Sequence, residues 1–123
     1  MNATVWKRTS FDAAHFLPKY KGLCSHMHGH TYTVELGLLG KINPNGMVVD
    51  LVELSKFLKT AVEDRWDHSL LNDSIENPTA ENIAMNILVM ARKWFDCGAV
   101  QRVCVRVYET PTSWVEVAGL VKE

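Results

Sequence analysis

The sequence predicts an α+β domain with its elements in the order ββααββ. Three observations predict it. β-compatible stretches stand at both ends of the chain, two stretches of helical periodicity stand together in the middle, and turn signals separate the strands. Strands paired by turns at each end, with helices grouped between them, form a segregated layer and not a βαβ winding.

The first strand is expected over about Thr4 to Leu17, with Phe11, Ala13, His15 and Leu17 on one face of the extended chain. Pro18-Lys19-Tyr20-Lys21-Gly22 is polar and turn-rich and leads into Cys24. The stretch His28 to Leu39 is dense in β-branched and aromatic residues and reads as the second strand. Asn43-Pro44-Asn45-Gly46 is a turn signal, and Met47, Val48 and Val49 resume an extended run ending at Asp50. Asp50 can cap a helix whose apolar positions are Leu51, Leu54, Leu58, Ala61 and Val62, and which should stop before Trp66-Asp67-His68. A second helix follows Asn77-Pro78-Thr79, with Pro78 in its first turn. Its stripe is Ile83, Ile87, Met90, Ala91 and Trp94, and Gly98 is its stop. Val103, Val105 and Val107 then alternate with Arg102, Cys104, Arg106 and Tyr108 as a half-buried strand reaching Glu109. Thr110-Pro111-Thr112 turns the chain into a last strand, Trp114 to Val121.

The 123 residues allow one domain, drawn as residues 1–123, because domains commonly hold roughly 100–200 residues. At 47% hydrophobic and 22% charged, the composition is that of an ordinary globular chain and excludes a disordered tail, a collagen-like rod or a disulfide knot. Thirteen basic against fourteen acidic residues leave a net charge of −1, which argues against a nucleic-acid partner. No apolar run approaches the roughly 18 residues of a membrane span. Lys7 and Arg8 near the start are followed by no apolar region of a signal peptide, so a cytoplasmic location is the default expectation. Three cysteines in such a chain read as reduced thiols, with Cys97 and Cys104 as small buried hydrophobes.

Chemistry concentrates in Cys24-Ser25-His26-Met27-His28-Gly29-His30, which holds three of the five histidines. Residues two apart on a strand point to the same side, so His28 and His30 can lean onto one metal ion. Imidazole nitrogen suits Zn²⁺. His26 would stand roughly 13 Å from His30 along a straight strand, too far for the same site. A third ligand must come from another strand, and His15 is the best-placed candidate. Three histidines leave one position open for water or substrate, the pattern of catalytic zinc. Two other readings compete: a polar strand start without metal, and a structural zinc with Cys24 as fourth ligand. The latter lacks the usual Cys-x-x-Cys pair.

Cys24 differs from the other cysteines in lying in a polar loop beside these histidines, where nearby positive charge would favour thiolate as base or nucleophile. Asp67-His68 is a second candidate pair, since a carboxylate can fix an imidazole's tautomer. Adjacent residues in a strand bond poorly to each other, and the alternative is a solvated turn. Glu109 is either a solvated strand end or a carboxylate offered to a ligand with paired N–H donors.

Six stretches together resemble the 6-pyruvoyl-tetrahydropterin synthase / 6-carboxy-tetrahydropterin synthase family. They are Phe11-Asp12-Ala13-Ala14-His15, Cys24-x-x-x-His28-Gly29-His30, Asn45-Gly46-Met47-Val48-Val49-Asp50, Asp67-His68-x-x-Leu71-Asn72, Asn77-Pro78-Thr79-x-Glu81-Asn82 and Glu109-Thr110-Pro111. They follow the family's order over nearly the whole chain. The resemblance implies the T-fold, an antiparallel four-stranded sheet with two helices on one face. It implies zinc held by His15, His28 and His30, with Cys24 as general base, Asp67 and His68 assisting proton transfer, and Glu109 gripping the amino-pyrimidine edge of a pterin. His26 is then a bystander. It also implies a homohexamer of two trimeric barrels with sites between subunits.

The three-residue spacer after Cys24 resembles the bacterial 6-carboxy enzymes; the animal pyruvoyl enzymes carry a longer one. The implied reaction turns dihydroneopterin triphosphate and water into carboxy-tetrahydropterin, acetaldehyde and triphosphate, a step toward queuosine. A pyruvoyl-forming synthase and a non-catalytic zinc or pterin-binding subunit are the alternatives, the latter having no need of Cys24, Asp67, His68 and Glu109 together. Trp66 departs from the family's Leu. Lys19 and Lys21 are candidates for the triphosphate, or simply a solvated loop.

Overall fold

The computed structural model describes residues 1–96 and 98–122. Strand β1, Asn2–His15, pairs antiparallel with β2, His28–Lys41. After the connection come α1, Leu51–Leu58, a π-helical stretch, Lys59–Glu63, and α2, Asp64–Trp66. A two-residue strand β3, Ser69–Leu70, precedes α3, Ala80–Trp94; β4, Val100–Thr110, and β5, Ser113–Leu120, complete the chain. The sheet order is β3-β1-β2-β4-β5. The four long strands are the antiparallel set read from the sequence. The fifth, β3, pairs parallel with β1 through Ala13 and Ala14, and two residues are too few to leave a periodic pattern.

Alternation along the strands sorts the two faces of the sheet. Phe11, Ala13 and His15 of β1, Tyr32, Val34, Leu36 and Leu38 of β2, and Val103, Val105 and Val107 of β4 point inward and are buried. The helices cover this face, α1 over β1 and α3 over β4 and β5. Leu17 lies beyond the end of β1. The other face carries charged and aromatic residues. Arg8 reaches Glu35 at 2.6 Å, Tyr108 donates to the same carboxylate at 2.9 Å, and Arg106 lies over the Trp6 ring.

Both helices start where capping chemistry puts them. The Asp50 carboxylate accepts from the Val52 N–H at 2.9 Å, and the Thr79 hydroxyl accepts from Asn82 at 3.1 Å. Pro78 therefore stands before the cap and not in the first turn.

The first helical run ends at Trp66 instead of stopping before it. Trp66 falls four residues after Val62 on the buried stripe and is wholly enclosed, its ring 5.9 Å from Phe11. Leu51, expected on that stripe, is exposed, and Phe57 takes its share of the core. In α3, Leu88 is buried and Trp94 is 44% exposed, while Phe95 just beyond fills the core position expected of Trp94. Gly98 lies past the helix end at φ +85°.

Met47, Val48 and Val49 form no strand. The Asn43 side chain donates to the Met47 and Val48 carbonyls, at 2.9 and 3.1 Å, and takes the place of a neighbouring strand. Cys104 is half-buried, and Cys97 lies outside the described residues.

Gly40 sits at an irregularity in the β2–β4 pairing, where Leu39 faces Arg102 but Gly40 faces Val100. A Cβ there would stand 2.3 Å from the Ala99 carbonyl oxygen, which is backbone and cannot turn aside. Gly40→Ala should therefore destabilise the protein by about 1–3 kcal/mol, read as a lower unfolding midpoint at fixed protein concentration. An unchanged midpoint would mean that the 99–100 segment moves away without cost.

Candidate active site

His15 ends β1 and His28 opens β2. The antiparallel register sets His15 opposite His28 and Ala13 opposite His30, so three imidazoles share the inward face at one end of the sheet. One ring nitrogen from each lies within 4.8 Å of the other two. His15 is buried, and His28 and His30 are half-buried. His15 is thus the third partner that spacing along the chain left open.

The protons on two of these rings follow from their partners. His15 Nδ1 lies 2.8 Å from the Pro78 carbonyl, and His28 Nδ1 lies 2.8 Å from the His26 carbonyl. A carbonyl oxygen only accepts, so each Nδ1 carries the hydrogen and each neutral ring offers a bare lone pair at Nε2. Those two Nε2 atoms face each other at 2.9 Å. The Nε2 of His30 is buried and has no partner. Buried lone pairs turned toward one another repel, and a cation among them reverses the sign. The donor set therefore fits a metal ion. Burial holds His30 below the usual imidazole range, His15 and His28 add to that, and Glu109 opposes it.

Backbone groups supply much of the scaffold. His26 itself is exposed, but its carbonyl orients His28. The Asn72 side-chain amide pairs with both the N–H and the carbonyl of Phe16, at 3.0 and 2.9 Å, and clamps the chain just after His15. The roles of Pro78 and His26 escape a reading by residue type, because a main-chain carbonyl carries no signature. The Asn77-Pro78-Thr79 turn is the one local hint.

Asp67 and His68 form a separate cluster with Asp12. Asp67 accepts from the Asp12 N–H at 2.9 Å and from His68 Nδ1 at 3.0 Å. The Asp12 N–H holds this carboxyl below the usual carboxylate range, and His68 adds to it. Neighbours in a strand could not meet this way, but His68 stands at φ +59°, which folds its ring back onto Asp67. The His68 N–H donates to the Asp12 carbonyl at 2.6 Å, and Thr31 donates to the Asp12 carboxylate at 2.6 Å. An open depression of about 560 Å³ has Asp12, Thr31, His30 and His68 in its wall.

Cys24 lies in a short 3-10 turn, Leu23–Ser25, whose loop is closed by the Leu17 N–H on the Cys24 carbonyl at 2.9 Å. Its side chain is exposed and joins neither cluster. Lys19 and Lys21 are exposed on the same loop.

Glu109 is half-buried near the end of β4. Thr33 faces Tyr108 at the end of the paired β2–β4 stretch, so Glu109 follows directly after it, next to Tyr32 in the neighbouring strand, at an irregularity of β4 between Tyr108 and Thr110. Its charge acts on both His30 and Tyr32. The Tyr32 phenol is raised above its usual range by burial first and by Glu109 second.

A sequence profile described as 6-pyruvoyl tetrahydropterin synthase matches residues 4–119. A Bacillus subtilis protein named 6-carboxy-5,6,7,8-tetrahydropterin synthase is 35% identical, the match covering 88% of this chain and 80% of that protein. A Pyrococcus furiosus protein named dihydroneopterin monophosphate aldolase is 39% identical, over 76% of this chain and 78% of its own. Among solved structures, 6-pyruvoyl tetrahydropterin synthase of Caenorhabditis elegans superposes with a TM-score of 0.81 at 28% identity, covering 97% of this chain and 96% of that one. With its helices and all three histidines of the cluster inside the matched span, which leaves out only the outermost residues of the sheet, the chain belongs to the 6-pyruvoyl tetrahydropterin synthase family.

Proposed function

We propose that this enzyme is a zinc-dependent carbon–carbon lyase. It converts 7,8-dihydroneopterin triphosphate and water to 6-carboxy-5,6,7,8-tetrahydropterin, acetaldehyde and triphosphate, within 7-deazaguanine (queuosine) biosynthesis in the cytoplasm. One observation carries the reading: bare Nε2 atoms of His15 and His28 face each other at 2.9 Å beside the unpartnered Nε2 of His30. The Bacillus subtilis relative's name supports the carboxy product.

His15, His28 and His30 would hold the zinc through their ring nitrogens. A zinc ion held there would supply Lewis-acid polarisation of substrate side-chain oxygens, which would make an adjacent C–H proton easier to remove. Cys24 as thiolate takes that proton. Asp67 fixes the His68 Nδ1–H, so Nε2 is left to relay protons. Glu109 accepts two N–H bonds from the amino-pyrimidine edge and sets the ring so that the side chain meets metal and base together. Within one chain neither Cys24 nor the Asp67–His68 pair joins the imidazole cluster, which supports a homo-oligomer whose sites draw on neighbouring subunits; the hexamer of two trimers is what the family resemblance implies. Nucleic acid and membrane have no part in this reading; no helix among the described residues is long and apolar enough to cross a bilayer.

Two other activities have a specific observation behind them. The solved Caenorhabditis elegans neighbour favours a pyruvoyl-forming synthase on the same substrate, and the Pyrococcus furiosus relative favours an aldolase on the monophosphate. Product analysis separates the three. Zinc-loaded protein incubated with dihydroneopterin triphosphate should release acetaldehyde and triphosphate. Triphosphate without acetaldehyde would instead mark the pyruvoyl reaction, and turnover confined to the monophosphate would mark the aldolase.

Replacing Cys24 by Ala should lower turnover by about 10²–10⁴-fold with zinc content unchanged by elemental analysis. Wild-type rate in that variant would remove Cys24 as the base. His15→Ala should lose the zinc itself and lower the unfolding midpoint of protein prepared with zinc, since the wild type gains stability from ligand bound to its folded state. A variant that keeps full zinc would displace His15 from the ligand set.

A further inference from the structure

Tyr32 stands at the centre of the candidate site, and its hydroxyl does nothing for the fold. The ring lies on the inward face of β2, stacked on Phe11 at 5.1 Å between centroids and edge-on to His15 and His30 at 5.8 and 5.4 Å. It is wholly buried, and the phenol oxygen has no hydrogen-bond partner. Phenylalanine would keep all three ring contacts without stranding a polar atom, and a buried unsatisfied hydroxyl is costly. Apolar packing therefore accounts for the ring and leaves the hydroxyl unexplained.

The nearest explanation is on the next strand. Glu109 follows Tyr108, the last β4 residue paired with β2, and Tyr32 precedes that residue's partner Thr33, so the two stand side by side at the end of the paired stretch, where β4 carries an irregularity between Tyr108 and Thr110. A phenol donates and a carboxylate accepts. In this structure the two are not bonded. A ligand taking both outward lone pairs of Glu109 would fix the carboxylate's plane and present an inner lone pair to the strand beside it.

We propose that Tyr32 is a positioning residue whose O–H donates to Glu109 when an amino-pyrimidine ring is bound, locking the carboxylate in the orientation that meets two N–H groups. The inference rests on the reading of Glu109 given above.

A double-mutant cycle on the zinc-loaded protein tests it, using neopterin as the probe of ring binding and the triphosphate substrate for kinetics. Tyr32→Phe should weaken neopterin binding about tenfold, the loss of one charge-assisted hydrogen bond. Its kinetic loss should be carried by KM more than by kcat, with zinc content unchanged. Because Tyr32 acts through Glu109, its effect should vanish in the Glu109→Ala background, so that the double variant binds no more weakly than Glu109→Ala alone. Wild-type affinity in Tyr32→Phe overturns the inference while leaving Glu109 in place. So do losses that multiply in the double variant, or loss of zinc, since each marks a packing role. Should Glu109→Ala itself bind neopterin normally, the reading of Glu109 falls and the inference falls with it.

Discussion

The candidate site depends on two hydrogen bonds that involve no functional side chain as acceptor. The carbonyls of Pro78 and His26 each take an Nδ1–H, and by doing so turn the Nε2 atoms of His15 and His28 toward one point. The convergence of lone pairs follows from that, and so does the fit of the cluster to a cation. Pro78 also sits one residue before the cap of α3, so the element that covers the sheet is the one that sets the tautomer of His15. Packing of the helical layer and orientation of the imidazole cluster are one constraint. Asn72 serves the same end, holding Phe16 so that β1 stops with His15 in place.

A strand's alternation gives β1 two jobs at once. Its inward residues, Phe11, Ala13 and His15, run from the core into the imidazole cluster. Its outward Asp12 anchors Asp67 and His68 through both backbone groups. The two clusters therefore share a strand but face different sides of it. The left-handed backbone at His68 belongs to this arrangement: it is the one non-glycine residue with positive φ among the described residues. Such a conformation persists where surrounding bonds enforce it, here the short contact from the His68 N–H to the Asp12 carbonyl.

Element types and order were legible because they rest on local chemistry. Alternating valines made β4, and Asp50 and Thr79 capped their helices where a short polar side chain meets free N–H groups. Misreadings came where tertiary contact outweighed period. Trp66 extended its helix because the core had room for it against Phe11. Trp94 yielded its core place to Phe95, which packs on Phe57 from just beyond the helix end. Met47 to Val49 looked like a strand by composition, yet the Asn43 amide had already taken two of their carbonyls.

What the chain's own residues determined was the ββααββ order, the histidine pair two residues apart on one strand, and the family likeness carried by six short motifs. Only the folded molecule decided how close the three imidazoles come, how their protons are placed, and that Asp67 and His68 meet Asp12 and not the imidazoles. The reason is distance along the chain. Periodicity and capping act over a few residues, whereas His15 and Pro78 are 63 residues apart and Asp12 and Asp67 are 55. Contacts of that span exist only after the sheet has set its register, and the donors and acceptors that make them are largely main chain, alike in every sequence.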